Sequence, residues 1–152
     1  HGAEHGYLEE FMDSLKLIAL DEADLAVISA CLQDAVFKTG DTAFGGKDRG
    51  FTLEANRFVW EDGDKKIFER RRAVLAVKQV RSVKSRGIDL KNTDAVQSLL
   101  ALRFLPGETA PAGAIELVLS GGAVIHLDVD CIEVQLADVG GAWETKFRPR
   151  HP

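Results

Sequence analysis

Nine basic side chains crowd into the stretch from Lys65 to Arg86: Lys65, Lys66, Arg70, Arg71, Arg72, Lys78, Arg81, Lys84 and Arg86, against the single acid Glu69. The stretch carries +8, which leaves −13 on the rest of a chain whose net charge is −5. Guanidinium groups in such numbers suit bidentate contacts with anions. The chemistry they offer is binding, to a phosphate, a nucleic-acid backbone or an acidic protein surface. The same cations also suit a solvated sheet face, where they pair with the acidic remainder and guard an edge strand against aggregation. In an extended segment Arg70, Arg72, Lys78 and Lys84 share one parity and line one face if the strand break preserves it. Phe58, Trp60 and Phe68 lie near the patch in sequence, but aromatics in strands usually belong to a core.

A second constellation is His126, Asp128, Asp130, Cys131 and Glu133 in HLDVDCIE. His126, Asp128 and Asp130 share strand parity, so they can in principle converge on a divalent metal. No paired-ligand spacing accompanies them, so no metal is expected. Asp130 and Glu133 also read as a helix capping box, which leaves His126 and Asp128 as a polar strand face. Cys131 would then sit in a first helical turn, where the dipole favours thiolate and the neighbouring acids oppose it. No histidine is placed by sequence to act as its base. The glycine pairs starting at Gly45, Gly121 and Gly140 lack a phosphate-loop pattern, and neither GxSxG nor HExxH occurs. No catalytic residue and no cofactor is expected.

These side chains need a frame. A chain of 152 residues, 45% hydrophobic and 28% charged, has the make-up of one folded domain. Cys31 and Cys131 are far apart and form no ligand motif, so two reduced thiols are expected. No apolar run approaches a membrane span of about 20 residues. His1 to Phe11 differ in character from the rest of the chain, and Met12 is the sole methionine, so residues 1–11 read as a leader ahead of the natural start. Residues 12–141 then form one domain and 142–152 a tail, in which Trp143 and Phe147 can pin the chain to the body.

Leu15 to Leu20 read as a short strand. Asp21 and Asp24 are placed to cap a helix whose stripe is Leu25, Ile28, Leu32 and Val36, with Cys31 and Ala35 beside it and Gly40 to stop it. Phe51, Leu53 and Ala55 alternate, while Phe58 and Trp60 fall on the other parity, which predicts a bulge near Asn56. EDGDKK is a turn. Ile67 to Ile88 is strand, with a break at Lys78 or Gln79. Leu100, Leu102 and Phe104 share a face opposite Arg103. IELVL–SGG–AVIHLDV is the clearest hairpin. Its inner rows are Ile115, Leu117 and Leu119, then Ile125, Leu127 and Val129. A second helix is expected after Asp130, with Ile132, Leu136 and Val139 as its apolar side and Gly140 and Gly141 as its end. The fold class is α+β: a curved antiparallel sheet of six or seven strands, an N-terminal helix and a capped C-terminal helix. A half-open barrel of pleckstrin-homology type is one shape such a sheet can take.

LKLIALDEADLAVISACLQDAV, SRGIDL, LLALRFLPGE and IHLDVDCIEVQLADVGGAWETKFRPRHP together resemble the alphaproteobacterial domain of unknown function 2948 family, from Leu15 to Pro152. The resemblance implies bacterial origin and a cytoplasmic home, and supplies no catalytic residue.

The residues thus favour a non-enzymatic binding module for a protein partner or an anionic ligand, using Arg70, Arg71, Arg72, Lys78, Arg81, Lys84 and Arg86. A nucleic-acid-associated protein using the same segment is the alternative, and a small enzyme around His126, Asp128 and Cys131 a weaker one. A homodimer through a sheet edge or Trp143 is compatible with each. Salt separates the first two. A nucleic-acid binder retains single-stranded DNA or RNA at low salt, loses it steeply as salt rises, and loses it again when Arg70, Arg71 and Arg72 become Ala. A filter-binding series that shows no retention at low salt removes that reading.

Overall fold

The computed structural model describes residues 15–60 and 67–139. Within them the dominant pattern is period two. β1 is Lys16–Ala19, β2 Ala35–Lys38, β3 Thr42–Gly45, β4 Gly50–Trp60, β5 Ile67–Val77 and β6 Val80–Arg86. β7 is Val96–Pro106, β8 Gly113–Leu119, β9 Val124–Val129 and β10 Val134–Asp138. Among the described residues one α-helix, α1, spans Glu22–Cys31. The ten strands form one antiparallel sheet in the order β1-β10-β5-β4-β2-β7-β8-β9-β6, with β3 attached to β4. The path ends on β1 and β6, so the sheet is open. The α+β class and the antiparallel sheet hold, but the sheet has ten strands rather than six or seven.

The expected C-terminal helix is a strand. Ile132, Val134 and Leu136 lie two apart and are buried, while Glu133 and Gln135 between them are half-exposed. Ile132 and Leu136 also fit a helical spacing. The ladder to β5, Val134 opposite Val77 and Leu136 opposite Leu75, decides between the two periods. Asp130 and Glu133 cap no helix. They clasp a corner instead: the Asp130 amide donates to the Gln79 carbonyl (3.0 Å) and the Lys78 amide to the Glu133 carbonyl (2.9 Å). That corner is the break expected near Lys78 or Gln79, and Gln79 takes a left-handed φ of 59° there. β5 pairs with β10 and β6 pairs with β9, so the two corners stack on each other.

α1 begins as expected, with the Asp21 carboxylate accepting from the Asp24 amide at 2.8 Å. It ends much earlier than Gly40. Asp34 turns left-handed (φ 68°), a conformation short polar side chains tolerate. Ala35 and Phe37 are buried on alternate positions of β2, and Val36 belongs to this strand rather than to the helical stripe. Gly40 serves a close approach: a Cβ there would lie 2.9 Å from the Thr93 carbonyl oxygen.

On β7 the register slips between Leu99 and Ala101, which turns Leu100 outward while Leu102 stays buried. Leu100 therefore leaves the face it was expected to share with Leu102 and Phe104. The bulge frees the Leu102 amide, and the Ser29 hydroxyl of α1 accepts it at 2.9 Å. The β8–β9 hairpin forms as expected, with Ile115 opposite Leu127 and Leu117 opposite Ile125. Gly121 and Gly122 supply the positive φ its turn requires. A single core joins both arms of the sheet to Leu25, Ile28 and Leu32 of α1. Each such aliphatic side chain contributes about 1.5–3 kcal/mol by leaving water.

β4 carries no bulge at Asn56; the register shifts at Val59 and Trp60. The inner row Phe51, Leu53, Ala55 therefore continues to Arg57, which is buried. Its Nε and Nη2 donate to the two carboxylate oxygens of Asp138, both at 2.8 Å. The two side chains are only 6% and 2% exposed. Asp138 also accepts the Leu15 amide at 2.9 Å. Removing one partner of a buried pair leaves an uncompensated charge, at a cost of about 3–5 kcal/mol. Arg57→Met is accordingly expected to lower the urea midpoint strongly. The double variant Arg57→Met with Asp138→Leu is expected to recover most of the loss, and additive losses would show that the two groups are not coupled.

Candidate functional site

The outer face of β6, β8 and β9 brings His126 and Asp128 together with Lys84, Ser82 and Glu116. Hairpin register sets Glu116 of β8 opposite His126 of β9. Lys84 of β6 lies opposite His126 on the other side, and Ser82 opposite Asp128. Arg103 of β7 lies opposite Glu116. The result is a row of charged groups across four strands: Arg103, Glu116, His126, Lys84.

Distances bind the row together. Glu116 Oε1 accepts from Arg103 Nη2 at 2.7 Å, and Glu116 Oε2 lies 2.8 Å from His126 Nδ1. Asp128 Oδ1 lies 3.1 Å from His126 Nε2, and Asp128 Oδ2 accepts from the Ser82 hydroxyl at 2.7 Å. With a carboxylate at each ring nitrogen, the imidazole satisfies both as an imidazolium donating twice. The Glu116 hydrogen bond is the main reason that His126 titrates above its ordinary value of 6.5; burial opposes the shift and Asp128 adds to it. In turn the His126 hydrogen bond draws Glu116 below its usual carboxylate value, against burial, with help from Arg103. The Ser82 hydroxyl does most to lower Asp128, and burial opposes it. Arg49 and Arg81 both bond Asp130 and lower it in the same sense.

Beside this face lies a groove of about 940 Å³, lined in part by the loop 106–113. Ser82, Arg81, His126, Asp128 and Asp130 form its polar wall, and the loop and Ala114 line the rest. The floor is internally satisfied. Both nitrogens of His126 are engaged by carboxylates. Cys131 is not part of the groove lining that holds His126 and Asp128. Among the described residues no cluster of His, Cys, Asp and Glu could hold a metal ion. Cys31 is half-buried beside the Arg57–Asp138 pair; burial raises its thiol pKa, the Arg57 charge opposes this, and Asp138 reinforces it. The described α-helix is not long and apolar enough to cross a membrane.

The basic segment is divided by the corner. Arg70 is exposed on β5, two residues before Arg72 on the outward parity, and Arg71 is half-buried opposite Arg57 on the inward one. Arg72 is held by Glu54 at 2.9 Å and Asp41 at 3.3 Å. Lys78 is half-buried at the corner itself. Arg81 falls in a β6 bulge and pairs with Asp130. Lys84 and Arg86 stand exposed on the outward parity of β6. The corner at Lys78 and Gln79 divides the segment between β5, which pairs with β10 and β4, and β6, which pairs with β9. Lys65, Lys66 and the side chains of Trp60 and Phe68 fall outside the described residues. Phe58 is half-buried on β4.

Sequence reasoning missed Glu116, Arg103 and Ser82. The signal was available for Glu116, the lone charge in IELVL, once the hairpin register was counted across SGG to His126. Arg57 was signalled as well, as a charge on the inward parity of β4.

The architecture defines the class first: an open antiparallel α+β sheet protein with, among the described residues, one packed helix. The family model described as Protein of unknown function (DUF2948) matches residues 15–151, and the chain belongs to that family. No curated protein and no solved structure gives a match.

The row makes stability depend on pH in a definite sense. A raised His126 pKa contributes stability that is full below 6.5 and is lost as pH rises through the raised value. The lowered Glu116 and Asp128 contribute above 4.5 and 3.8 and are lost as pH falls through their lowered values. The melting temperature of the parent should therefore exceed that of His126→Gln most between about pH 5 and 6, with the gap closing at alkaline pH. A gap that is constant with pH would show that folding leaves the His126 pKa unshifted.

Proposed function

We propose that the protein is a non-enzymatic binding module that engages an acidic segment of a protein partner at the outer face of β6, beside the 106–113 groove. One observation carries this reading: Lys84 and Arg86, two apart on one face of the terminal strand, have no ion pair among the described residues. Arg72 and Arg81 of the same basic segment are already occupied by acids. Exposed cations of this kind favour encounter with acidic surfaces and add to specificity more than to raw affinity. The internally satisfied floor of the groove supports binding rather than proton transfer. A cytoplasmic home in an alphaproteobacterium, implied by the family resemblance, completes the proposal.

A short fluorescent peptide alternating glutamate with valine is the probe. It should bind with an affinity that falls with salt, and Lys84→Glu with Arg86→Glu should weaken it by at least about tenfold. Equal affinity for the charge-reversed protein overturns the assignment. Tighter binding of a single-stranded oligonucleotide than of the peptide overturns it in favour of the nucleic-acid alternative.

A further inference from the structure

Lys84 and Arg86 define a surface and a charge; the backbone beside them points to a mode of binding. Among the described residues β6 pairs with β9 alone and ends the sheet path. Its other edge therefore presents main-chain N–H and C=O groups with no described strand across from them. At its start the edge is partly used, because the Val80 amide donates to the Arg49 carbonyl at 3.0 Å. The bulge between Val80 and Ser82 also disrupts pairing there. From Ser82 to Arg86 the register with β9 is regular, residue for residue. After Arg86 the chain turns away through Gly87, whose φ is +84°. The edge thus offers a straight run of five residues, enough to template another strand.

Side-chain alternation specifies what that strand would carry. Lys84 and Arg86 share the outward face with His126 and Val124, their partners on β9. Val83 faces inward, opposite Leu127, and packs against the core while remaining half-exposed. Cross-strand neighbours on one face interact directly, and opposite charges or apolar pairs are favoured there. An incoming strand therefore gains from acids on the side of Lys84 and Arg86, and from an apolar residue on the side of Val83.

Resting on the proposed binding function, we infer that the acidic partner segment adds to the sheet as a further strand along Ser82–Arg86, with acidic and apolar side chains alternating. Main-chain hydrogen bonds then give affinity, and the two faces of β6 give specificity.

The test uses the same alternating glutamate–valine peptide in two N-methylated forms. One form is methylated on one set of alternate amides, the other on the complementary set; both keep every charge and side chain. In an added strand only one set faces β6. That form should bind about tenfold more weakly, the effect of losing two hydrogen bonds, and the other should bind like the parent peptide. Amide exchange of residues 82–86 should slow on binding of the parent. Equal affinity of the two forms, with binding still dependent on Lys84 and Arg86, overturns strand addition and leaves the charge-based reading standing. No binding of the parent peptide at low salt overturns both.

Discussion

One buried ion pair, Arg57 with Asp138, ties β4 to β10 across β5. Each group ends an otherwise apolar row. On β4 the row is Phe51, Leu53, Ala55, then Arg57; on β10 it is Val134, Leu136, then Asp138. β5 lies between the two strands, and at this level it contributes Ala73, opposite both Ala55 and Asp138. The small side chain leaves room for the guanidinium to reach across. The two-point geometry then fixes the mutual register of three strands. It reaches the sheet end as well, since Asp138 holds the first residue before β1 through a side-chain and a main-chain contact. Burying two charges is costly, and it succeeds here because the fork of Arg57 and the Leu15 amide satisfy both carboxylate oxygens.

A comparable economy shapes the outer face. Arg103, Glu116, His126 and Asp128 come from three strands, and each neutralises its neighbour. A row of this kind orders side chains without a metal or a disulfide. Lys84 and Arg86, which have no ion pair among the described residues, stand at the margin, on the last strand of the sheet path. Edge strands carry such cations as protection against unwanted pairing. The bulge at the start of β6 and the Gly87 turn at its end confine the accessible edge to a short central run.

Much of the fold was legible in local pattern. The hairpin of β8 and β9 follows from two alternating rows about a glycine turn. The N-terminus of α1 follows from Asp21 and Asp24, and the corner at Lys78 and Gln79 from a parity that cannot run through it. The errors arose where one set of residues satisfies two periods. Ile132, Leu136 and Val139 fit a helix, and Ile132, Val134 and Leu136 fit a strand. Leu32 and Val36 extend a helical stripe although Asp34 has already ended the helix. Local propensity is nearly balanced in such stretches, and the ladder available on β5 or β4 tips the choice.

By itself the sequence determined the class of the protein, the inward-facing rows, the reduced thiols as an expectation, and the concentration of positive charge between Lys65 and Arg86. Those properties depend on residues near one another in the chain. Only the tertiary structure decided which charges remain available. Arg57 and Asp138 are 81 positions apart, as are Arg49 and Asp130, and Arg81 lies 49 from Asp130. Pairings over such separations are set by strand order, and nothing in the local pattern encodes it. The basic segment therefore reads as one patch in sequence, while the sheet consumes Arg72 and Arg81 and leaves Lys84 and Arg86 at an open edge.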